Sequence, residues 1–302
     1  MTTILNRRNF FRQSSALLAA AQADSLLRPA RAAGSVPVGL SLFMVEAELA
    51  KDFQGTIRAV AQMGYQVVEF WGFGRPGPFD SWTTEQAKGV RKLLDDLGIR
   101  CHSTHCDGAA FSNEGLAKTI ELNHIIGSKD LVMSGNNMGG GATSGKASGG
   151  LDGSKRVADR LNAISEKLKP AGLRAGYHNH PYEFTPIDGK LPMDVIAANT
   201  PKEVMLQLCV GAATEAHGDS VKFIKANPGR IRHIHLKDWA PGPDKGHEVL
   251  FGEGISPWPQ IFAAADSVGG AEFYLMVKVG SIRNLEIARR SLANYKKLRV
   301  TG

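Results

Sequence analysis

Short apolar runs rich in β-branched and aromatic residues alternate with longer amphipathic stretches from Pro37 to near the end of the chain. The short runs have the length of buried strands, and the longer stretches repeat apolar residues at the spacing of one helix face. Eight strands are predicted in this way: Val38–Phe43, Gln66–Trp71, Arg100–His105, Asp130–Ser134, Leu173–His178, Val204–Val210, Ile231–Lys237 and Phe273–Val279.

Each predicted strand is followed by a predicted helix. These helices are Leu49–Met63, Thr84–Leu97, Glu114–Ile126, Ser154–Pro170, Met193–Asn199, Asp219–Ala226, Trp258–Val268 and Asn284–Leu298. Gly98 and Gly172 come just after a helix, where a left-handed cap favours glycine. Eight strand–helix units are more than an open doubly wound sheet usually contains, so the pattern predicts an α/β fold, a single (β/α)8 TIM barrel over residues 34–302.

The first thirty-three residues have a different composition. Arg7 and Arg8 precede the weakly apolar stretch Ser14–Leu27, and Ala30–Ala32 offers a small-residue cleavage pattern. This order favours a twin-arginine export signal over residues 1–33 rather than an amphipathic N-terminal helix. The expected location is therefore the periplasm or another exported compartment.

Removal of that segment changes the charge of the protein. Residues 1–33 contain five arginines and one aspartate, so the formal charge falls from +7 for the whole chain to about +3. A charge this small, without a basic stripe interleaved with aromatic residues, argues against nucleic-acid binding. Nor is any apolar run long enough to predict a stable membrane span.

One glycine-rich stretch interrupts the alternation. Asn136–Gly153 follows the fourth predicted strand and is poor in apolar residues. The expected structure is a mobile loop over the barrel mouth.

Polar side chains cluster at the ends of the predicted strands, where barrel enzymes carry their functional groups. The chain has Glu69 in VVEFWG, His102 and His105 in CHSTHCD, His178, His180 and Glu183 in YHNHPYEF, and His233, His235, Lys237 and Asp238 in HIHLKD. A carboxylate and several imidazoles around one mouth suit a divalent metal that polarises a sugar carbonyl while a carboxylate moves the adjacent proton. Each group also has a structural interpretation as a hydrogen-bonded strand-end pair.

The candidate residues fall into two sets. The predicted catalytic groups are Glu183, His180, His178 and His105, and the predicted sugar-binding groups are Glu69, Lys237, Trp71 and Glu253.

Motifs along the whole mature chain resemble the xylose-isomerase-like TIM-barrel superfamily, in its sugar phosphate isomerase/epimerase group. They are GLSLFMVEAELAKDFQGTI, MGYQVVEFWG, LLDDLGIRCHSTH, AGLRAGYHNHPYEF, NPGRIRHIHLKD and FGEGISPW. The resemblance implies a barrel that acts on a small carbohydrate.

The resemblance also implies a metal site, often for manganese, with Glu, Asp, His and Glu ligands from four strand ends. Glu183 matches the first glutamate and His235 the histidine, but Cys209 stands at the aspartate and Val277 at the second glutamate. Two protein ligands would hold Mn or Mg only weakly. Cys209 with Glu183 and His235 could instead recruit Zn.

Two classes of function remain open. The first is a sugar isomerase, epimerase or lyase that abstracts a proton next to a carbonyl, with metal assistance where the ion binds. Because the alkyl side chain of Val277 cannot accept a proton, the sequence argues against a two-base epimerase and leaves a single-base lyase as an alternative. The second is a non-catalytic carbohydrate-binding or scaffold protein that has lost its metal site.

Overall fold

The computed structural model describes residues 36–71, 82–106, 108–135 and 149–301, which form a closed barrel of eight parallel strands. Each strand pairs with the next in sequence, and the last pairs with the first. The strands are β1 (Val38–Ser41), β2 (Val67–Trp71), β3 (Arg100–His105), β4 (Asp130–Ser134), β5 (Arg174–His178), β6 (Met205–Cys209), β7 (His233–Leu236) and β8 (Phe273–Met276). The predicted (β/α)8 barrel is confirmed.

Several strands end earlier at the mouth than the sequence predicts. The first was predicted to reach Phe43, but β1 ends at Ser41 and a 3-10 helix follows over Leu42–Val45. The seventh was predicted over Ile231–Lys237, whereas β7 covers His233–Leu236. A buried turn and a buried strand are equally apolar, so hydrophobicity alone cannot place the boundary between them.

Helices cover the outside of the barrel. They are α1 (Glu46–Lys51), α2 (Phe53–Met63), α3 (Thr84–Asp96), α4 (Leu116–Ile126), α5 (Gly150–Leu168), α6 (Pro192–Ala198), α7 (Val210–Glu215), α8 (Ser220–Ala226), α9 (Trp258–Ala264) and α10 (Leu285–Thr301). Gly98 and Gly172, the predicted caps, have φ values of 66° and 69° and confirm the left-handed helix ends.

The first predicted helix, Leu49–Met63, is divided in two. Asp52 has an extended backbone between α1 and α2, and its Oδ1 accepts a hydrogen bond of 2.9 Å from the Gly55 amide. Aspartate satisfies the free N–H groups at a helix start better than it supports a helix interior, which explains the break.

Two further elements differ from the prediction. The helix predicted to begin at Ser154 begins at Gly150, and α7 follows β6 directly, although no helix was predicted there. Of the predicted glycine-rich loop, residues 136–148 lie outside the described residues. At the start of α5, Gly149 and Gly150 have φ values of 105° and 59°, in the left-handed region that favours glycine.

The barrel floor, where the strands begin, carries an ion-pair network of Asp130, Arg174, Arg232, His233 and Glu272. Arg174 donates to both carboxylate oxygens of Asp130, at 2.5 and 2.8 Å, and to Glu272 at 3.3 Å. Arg232 also donates to Glu272, and His233 Nε2 lies 3.0 Å from Asp130 Oδ2. Burial raises the pKa of Asp130, but His233 and Arg174 outweigh burial and hold it well below its usual range. This floor network ties together the starts of β4, β5, β7 and β8.

The predicted export signal, residues 1–33, lies outside the described residues and stays a prediction. No helix among residues 36–71, 82–106, 108–135 and 149–301 has the length and hydrophobicity required to cross a membrane.

Candidate functional site

The side chain of Glu69 lies in the barrel interior near the mouth and has no exposed surface. Its Oε2 accepts hydrogen bonds of 2.7 Å from Ser103 Oγ and from Gln207 Nε2. Its Oε1 faces the Nε2 atoms of His235 and His105, at 3.0 and 3.3 Å. One carboxylate therefore joins side chains from β2, β3, β6 and β7.

Three imidazoles surround this carboxylate and the neighbouring amide of Gln207. Gln207 Oε1 lies 2.8 Å from His105 Nε2 and also 2.8 Å from His178 Nδ1. The ring centroids of His178 and His235 are 4.6 Å apart, and ligand nitrogens of all three histidines lie within 4.8 Å of one another. We call His105, His178 and His235 the histidine cluster.

Burial and charge set the protonation of these groups. Burial raises the pKa of Glu69, but His105 and His235 outweigh burial and leave it well below its usual range. Burial lowers the pKa of His235, but Glu69 and a hydrogen bond with Cys209 raise it to about 9. Burial and the neighbouring imidazoles bring the pKa of His178 well below its usual range. At neutral pH, Glu69 is therefore an anion, His235 a cation and His178 neutral.

A second carboxylate, Glu183, lies beside the cluster in the 3-10 helix Pro181–Phe184. It is 2% exposed, its Oε1 accepts a hydrogen bond from the Tyr177 hydroxyl, and its Oε2 accepts one of 2.7 Å from the His180 amide. Burial raises the pKa of Glu183 to about 7, although these donors oppose the shift. The carboxyl group can thus accept or release a proton near neutral pH.

Lys237 adds positive charge at the same mouth. Burial raises the pKa of Cys209, but Lys237 and His235 outweigh burial, so the thiol is more acidic than usual. Burial and Lys237 lower the pKa of His180 to about 4. A basic side chain, an acidic thiol and a neutral imidazole therefore share one side of the mouth.

Two of the predicted sugar-binding residues, Glu253 and Trp71, make their side-chain contacts with other groups. Glu253 is exposed, and its Oε2 accepts a hydrogen bond of 3.3 Å from the Leu250 amide in its own turn. Trp71, the last residue of β2, is half-buried and packs edge-on against Phe43 with ring centroids 5.9 Å apart. Trp71 is also the sheet partner of His105 in the β2–β3 register, so it lies at the mouth beside the histidine cluster.

Sequence reasoning missed three residues that organise the site: Gln207, Ser103 and Tyr177. Gln207 was detectable, because it is a lone amide in the apolar run VMLQLCV and lies two residues from Cys209, on the same face of β6. Ser103 and Tyr177 give no such signal, since serine and tyrosine are ordinary residues in a barrel strand.

Comparison with known proteins decides the family. A family model for the xylose isomerase-like TIM barrel matches residues 57–298. The chain belongs to the xylose isomerase-like TIM-barrel family. No curated protein matches the sequence.

Solved structures share the xylose isomerase-like fold. A sugar phosphate isomerase/epimerase from Parabacteroides distasonis ATCC 8503 has 24% identity and a TM-score of 0.68, covering 88% of this chain and 97% of that chain. An L-ribulose 3-epimerase has 16% identity and a TM-score of 0.61, covering 88% and 95%. An IOLI protein with a bound zinc atom has 13% identity and a TM-score of 0.60, covering 88% and 97%. At these identities the similarity shows the fold alone.

Xylose isomerase-like proteins often bind a divalent metal, but the oxygen-rich ligand set implied by the sequence resemblance does not fit here. Both oxygens of Glu183 accept hydrogen bonds from Tyr177 and His180, and Val277 offers only a buried alkyl group. Among the described residues two groups could supply metal ligands: the histidine cluster, and Asp130 with His233 and Glu272. Neither group includes Glu183 or Cys209, so a manganese site built on them is not supported.

Proposed function

We propose that this protein acts on a carbohydrate or an oxidised sugar and removes a proton from the carbon next to a carbonyl group, with Glu183 as the base. The observation that carries the proposal is the state of Glu183: buried at the barrel mouth, with a pKa raised to about 7. A carboxylate works best as a general base when its pKa lies near the working pH.

The surrounding side chains suit the charge that forms in this reaction. Loss of a proton next to a carbonyl leaves negative charge on the carbonyl oxygen, which nearby positive groups stabilise. Lys237 and protonated His235 supply positive charge at the mouth, while Tyr177 donates to Glu183 and fixes its orientation. The proposed substrate carbonyl therefore faces Lys237 and His235.

The chain supports one base rather than two. Val277 is 8% exposed and lies where the family resemblance implies a second carboxylate. Inversion at carbon needs a group on each face, whereas a single carboxylate can move a proton on one face. We therefore favour same-face isomerisation, or elimination in which Glu183 takes the proton from carbon, the C–H electrons form the new double bond, and the proton is passed to the departing oxygen.

Deuterium exchange tests this proposal. Free sugars, oxidised sugars and glycosides are incubated with the protein in D2O, and NMR follows deuterium at the carbon next to the carbonyl. The expected result is exchange or product formation that Glu183→Gln slows by about 10²–10⁴-fold. Glu166→Gln, which changes an exposed carboxylate of α5, serves as the matched control and retains the rate. Exchange that survives Glu183→Gln would refute the assignment of the base.

A second candidate, a non-catalytic carbohydrate-binding protein, is favoured by a different observation. Each carboxylate oxygen of Glu69 is already bonded within the barrel, and Val277 removes the second acid–base group. This candidate predicts that calorimetry detects binding of a sugar, while NMR in D2O shows no deuterium exchange at any carbon of that sugar.

We also propose that the protein acts after export by the twin-arginine route. Arg7 and Arg8, followed by an apolar stretch, support this location, and an exported location favours sugars without phosphate. Cell fractionation of the Arg7→Lys, Arg8→Lys double variant is expected to show retention in the cytoplasm. Unchanged export of that variant would contradict the proposal.

A further inference from the structure

Lys237, the residue that follows β7 at the barrel mouth, has a half-buried side chain. Burial and Lys237 together lower the pKa of His180, and Lys237 lowers the pKa of Cys209 against the effect of burial, so the ammonium group lies near both residues. Partial burial of a cation costs free energy unless an anion accompanies it. The acids around Lys237 therefore decide whether its charge is already balanced.

The carboxylates around the mouth are bonded to other donors. Asp238, the next residue along the chain, accepts four N–H groups through its two oxygens. Both oxygens of Glu183 and both oxygens of Glu69 also accept hydrogen bonds from other side chains or amides. Within residues 36–71, 82–106, 108–135 and 149–301, no carboxylate forms an ion pair with Lys237.

Two other basic side chains at this end of the barrel show the contrast. Lys278, two residues after β8, is buried and donates to Glu248 Oε2 at 3.2 Å. Arg283, further along the same segment, pairs with Glu46. Each of these cations has its own carboxylate. Of the three, Lys237 alone has a positive charge that no acid in the described part of the chain offsets.

A glycine of α7 holds the stem of Lys237 in place. A Cβ atom added to Gly211 would lie 3.0 Å from Lys237 Cγ and 2.7 Å from its carbonyl oxygen, which is closer than ordinary contact. The stem thus lies directly against α7, in space that any larger residue would fill. His235 on β7 is also positive, but Glu69 offsets its charge at 3.0 Å. The mouth therefore presents one positioned positive charge to a ligand.

We infer that Lys237 binds the carboxylate of a sugar acid, such as a uronate, in preference to a neutral or a phosphorylated sugar. This inference rests on the proposed function and names the charged group of its substrate, whose C=O is then the carbonyl that faces Lys237 and His235. One carboxylate charge matches one unpaired ammonium group. A phosphate monoester carries a charge of about −1.5 to −2 at neutral pH and needs further cations, whereas a neutral sugar leaves Lys237 without an anion.

Calorimetry with the unmutated full-length protein tests the charge preference without any substitution. The probes are D-glucuronate and D-galacturonate, the methyl ester of each acid, and D-glucose 6-phosphate. The acids should bind at least about 10-fold more tightly than their esters and than the phosphate, since a hydrogen bond to a charged group is worth that factor. Added NaCl should weaken binding of the acids and leave binding of the esters unchanged. Equal binding of acid and ester, or tighter binding of the phosphate, would overturn the inference.

A substitution then assigns the preference to Lys237. Lys237→Met keeps the stem and removes the charge, so it should weaken binding of the acids by about 10–100-fold without changing binding of the esters. Lys167→Met, which changes an exposed lysine of α5, is the matched control and should bind both as the unmutated protein does. A loss in Lys237→Met that is equal for acid and ester would show a structural role instead.

Two further variants separate this inference from its alternatives. Glu183→Gln should keep the preference for acids while it stops deuterium exchange, so failure of the inference and failure of the proposed function are distinguishable. Ultraviolet absorbance tests whether the Cys209 thiol already serves as the anion. Equal absorbance of the unmutated protein and Cys209→Ser is expected. A thiolate absorbance that disappears in both Cys209→Ser and Lys237→Met would make Cys209 the partner of Lys237 and overturn the inference.

Discussion

Two buried carboxylates, Glu69 and Glu183, lie at the same barrel mouth in opposite electrostatic surroundings. Glu69 faces the imidazoles of His105 and His235, which outweigh burial and keep its pKa low. Glu183 faces uncharged donors, so burial dominates and raises its pKa to about 7. Glu69 therefore stays ionised at neutral pH, whereas Glu183 can exchange a proton, although both are glutamates at the same mouth.

Glu183 makes stability depend on pH. Its pKa in the folded state, about 7, lies above the usual carboxyl value of about 4.3, so the folded state binds an extra proton between these values. Its contribution to stability is complete below about pH 4.3 and is lost as pH rises through 7. We expect the free energy of unfolding of Glu183→Gln, relative to that of the unmodified protein, to be about 3 kcal/mol higher at pH 8 than at pH 4. Urea unfolding at both pH values measures this difference. A difference that is the same at both pH values would contradict this.

Restoring the missing oxygen ligands should restore a family-type metal response. The double variant Cys209→Asp, Val277→Glu places two carboxylates at buried positions, which should cost on the order of 3 kcal/mol without metal. Addition of MnCl2 should raise its melting temperature, and the neutral counterpart Cys209→Asn, Val277→Gln should not respond. Thermal unfolding of both double variants with and without MnCl2 measures these changes in melting temperature. An unchanged melting temperature of Cys209→Asp, Val277→Glu would show that Glu183 and His235 cannot complete the site.

The motif HNHPYEF correctly placed His178 and Glu183 at the mouth, since both lie within six residues of a recognisable strand end. The pairing of Glu69 with Gln207 could not be predicted, because these residues are 138 positions apart and meet only through the register of the closed barrel. The hydrogen bond from Tyr177 to Glu183 joins residues only six positions apart, but it depends on the 3-10 helix Pro181–Phe184, which the sequence analysis did not predict.

At the scale of elements, Asp238 after β7 organises the loop that leads to α9. Its Oδ2 accepts hydrogen bonds from the Gly252 and Gly254 amides and from Trp258 Nε1, at 2.9, 3.1 and 2.8 Å. Its Oδ1 accepts one from the Trp239 amide at 3.0 Å. The sequence placed Asp238 among the polar groups at the strand ends, and the structure gives its carboxylate four N–H donors.

Loss of this carboxylate should loosen the loop. Asp238→Ala leaves the buried Trp258 indole N–H and the Gly252 and Gly254 amides without their acceptor, which should cost about 2–4 kcal/mol. Urea unfolding measures the loss, and faster hydrogen exchange at Gly252 and Gly254 locates it. Asp159→Ala, an exposed aspartate on α5, is the control and should change stability little. Unchanged exchange at both glycines would show that the loop does not depend on Asp238.

In the whole molecule, the acidic side chains are paired differently at the two ends of the barrel. The floor network pairs every acid with arginine or histidine, which stabilises the start of the sheet. The mouth instead carries a carboxylate that shares its charge with imidazoles and a second one that titrates near pH 7. This division follows the usual arrangement of such barrels, in which the C-terminal ends of the strands carry function.

Asp130→Asn should test that division. The low pKa of Asp130 means that its charge stabilises the folded state above about pH 4, and that this contribution is lost as pH falls toward its folded value. We expect a loss of about 3–5 kcal/mol at pH 7 that becomes much smaller at pH 3, measured by urea unfolding. Sugar binding and deuterium exchange, the two readouts of the proposed function, should be unchanged in this variant. An equal loss at both pH values would exclude an ionic role for Asp130.

The site around Glu69 draws side chains from five strands, β2, β3, β5, β6 and β7, and its contacts join residues as far as 166 positions apart. No fragment of the chain that lacks one of these strands can present the complete set of groups. The site therefore forms only when the barrel closes, late in folding, and an unfinished chain can neither capture a ligand nor begin chemistry. In a protein built in this way, a complete set of site groups is itself a sign that the tertiary structure has formed.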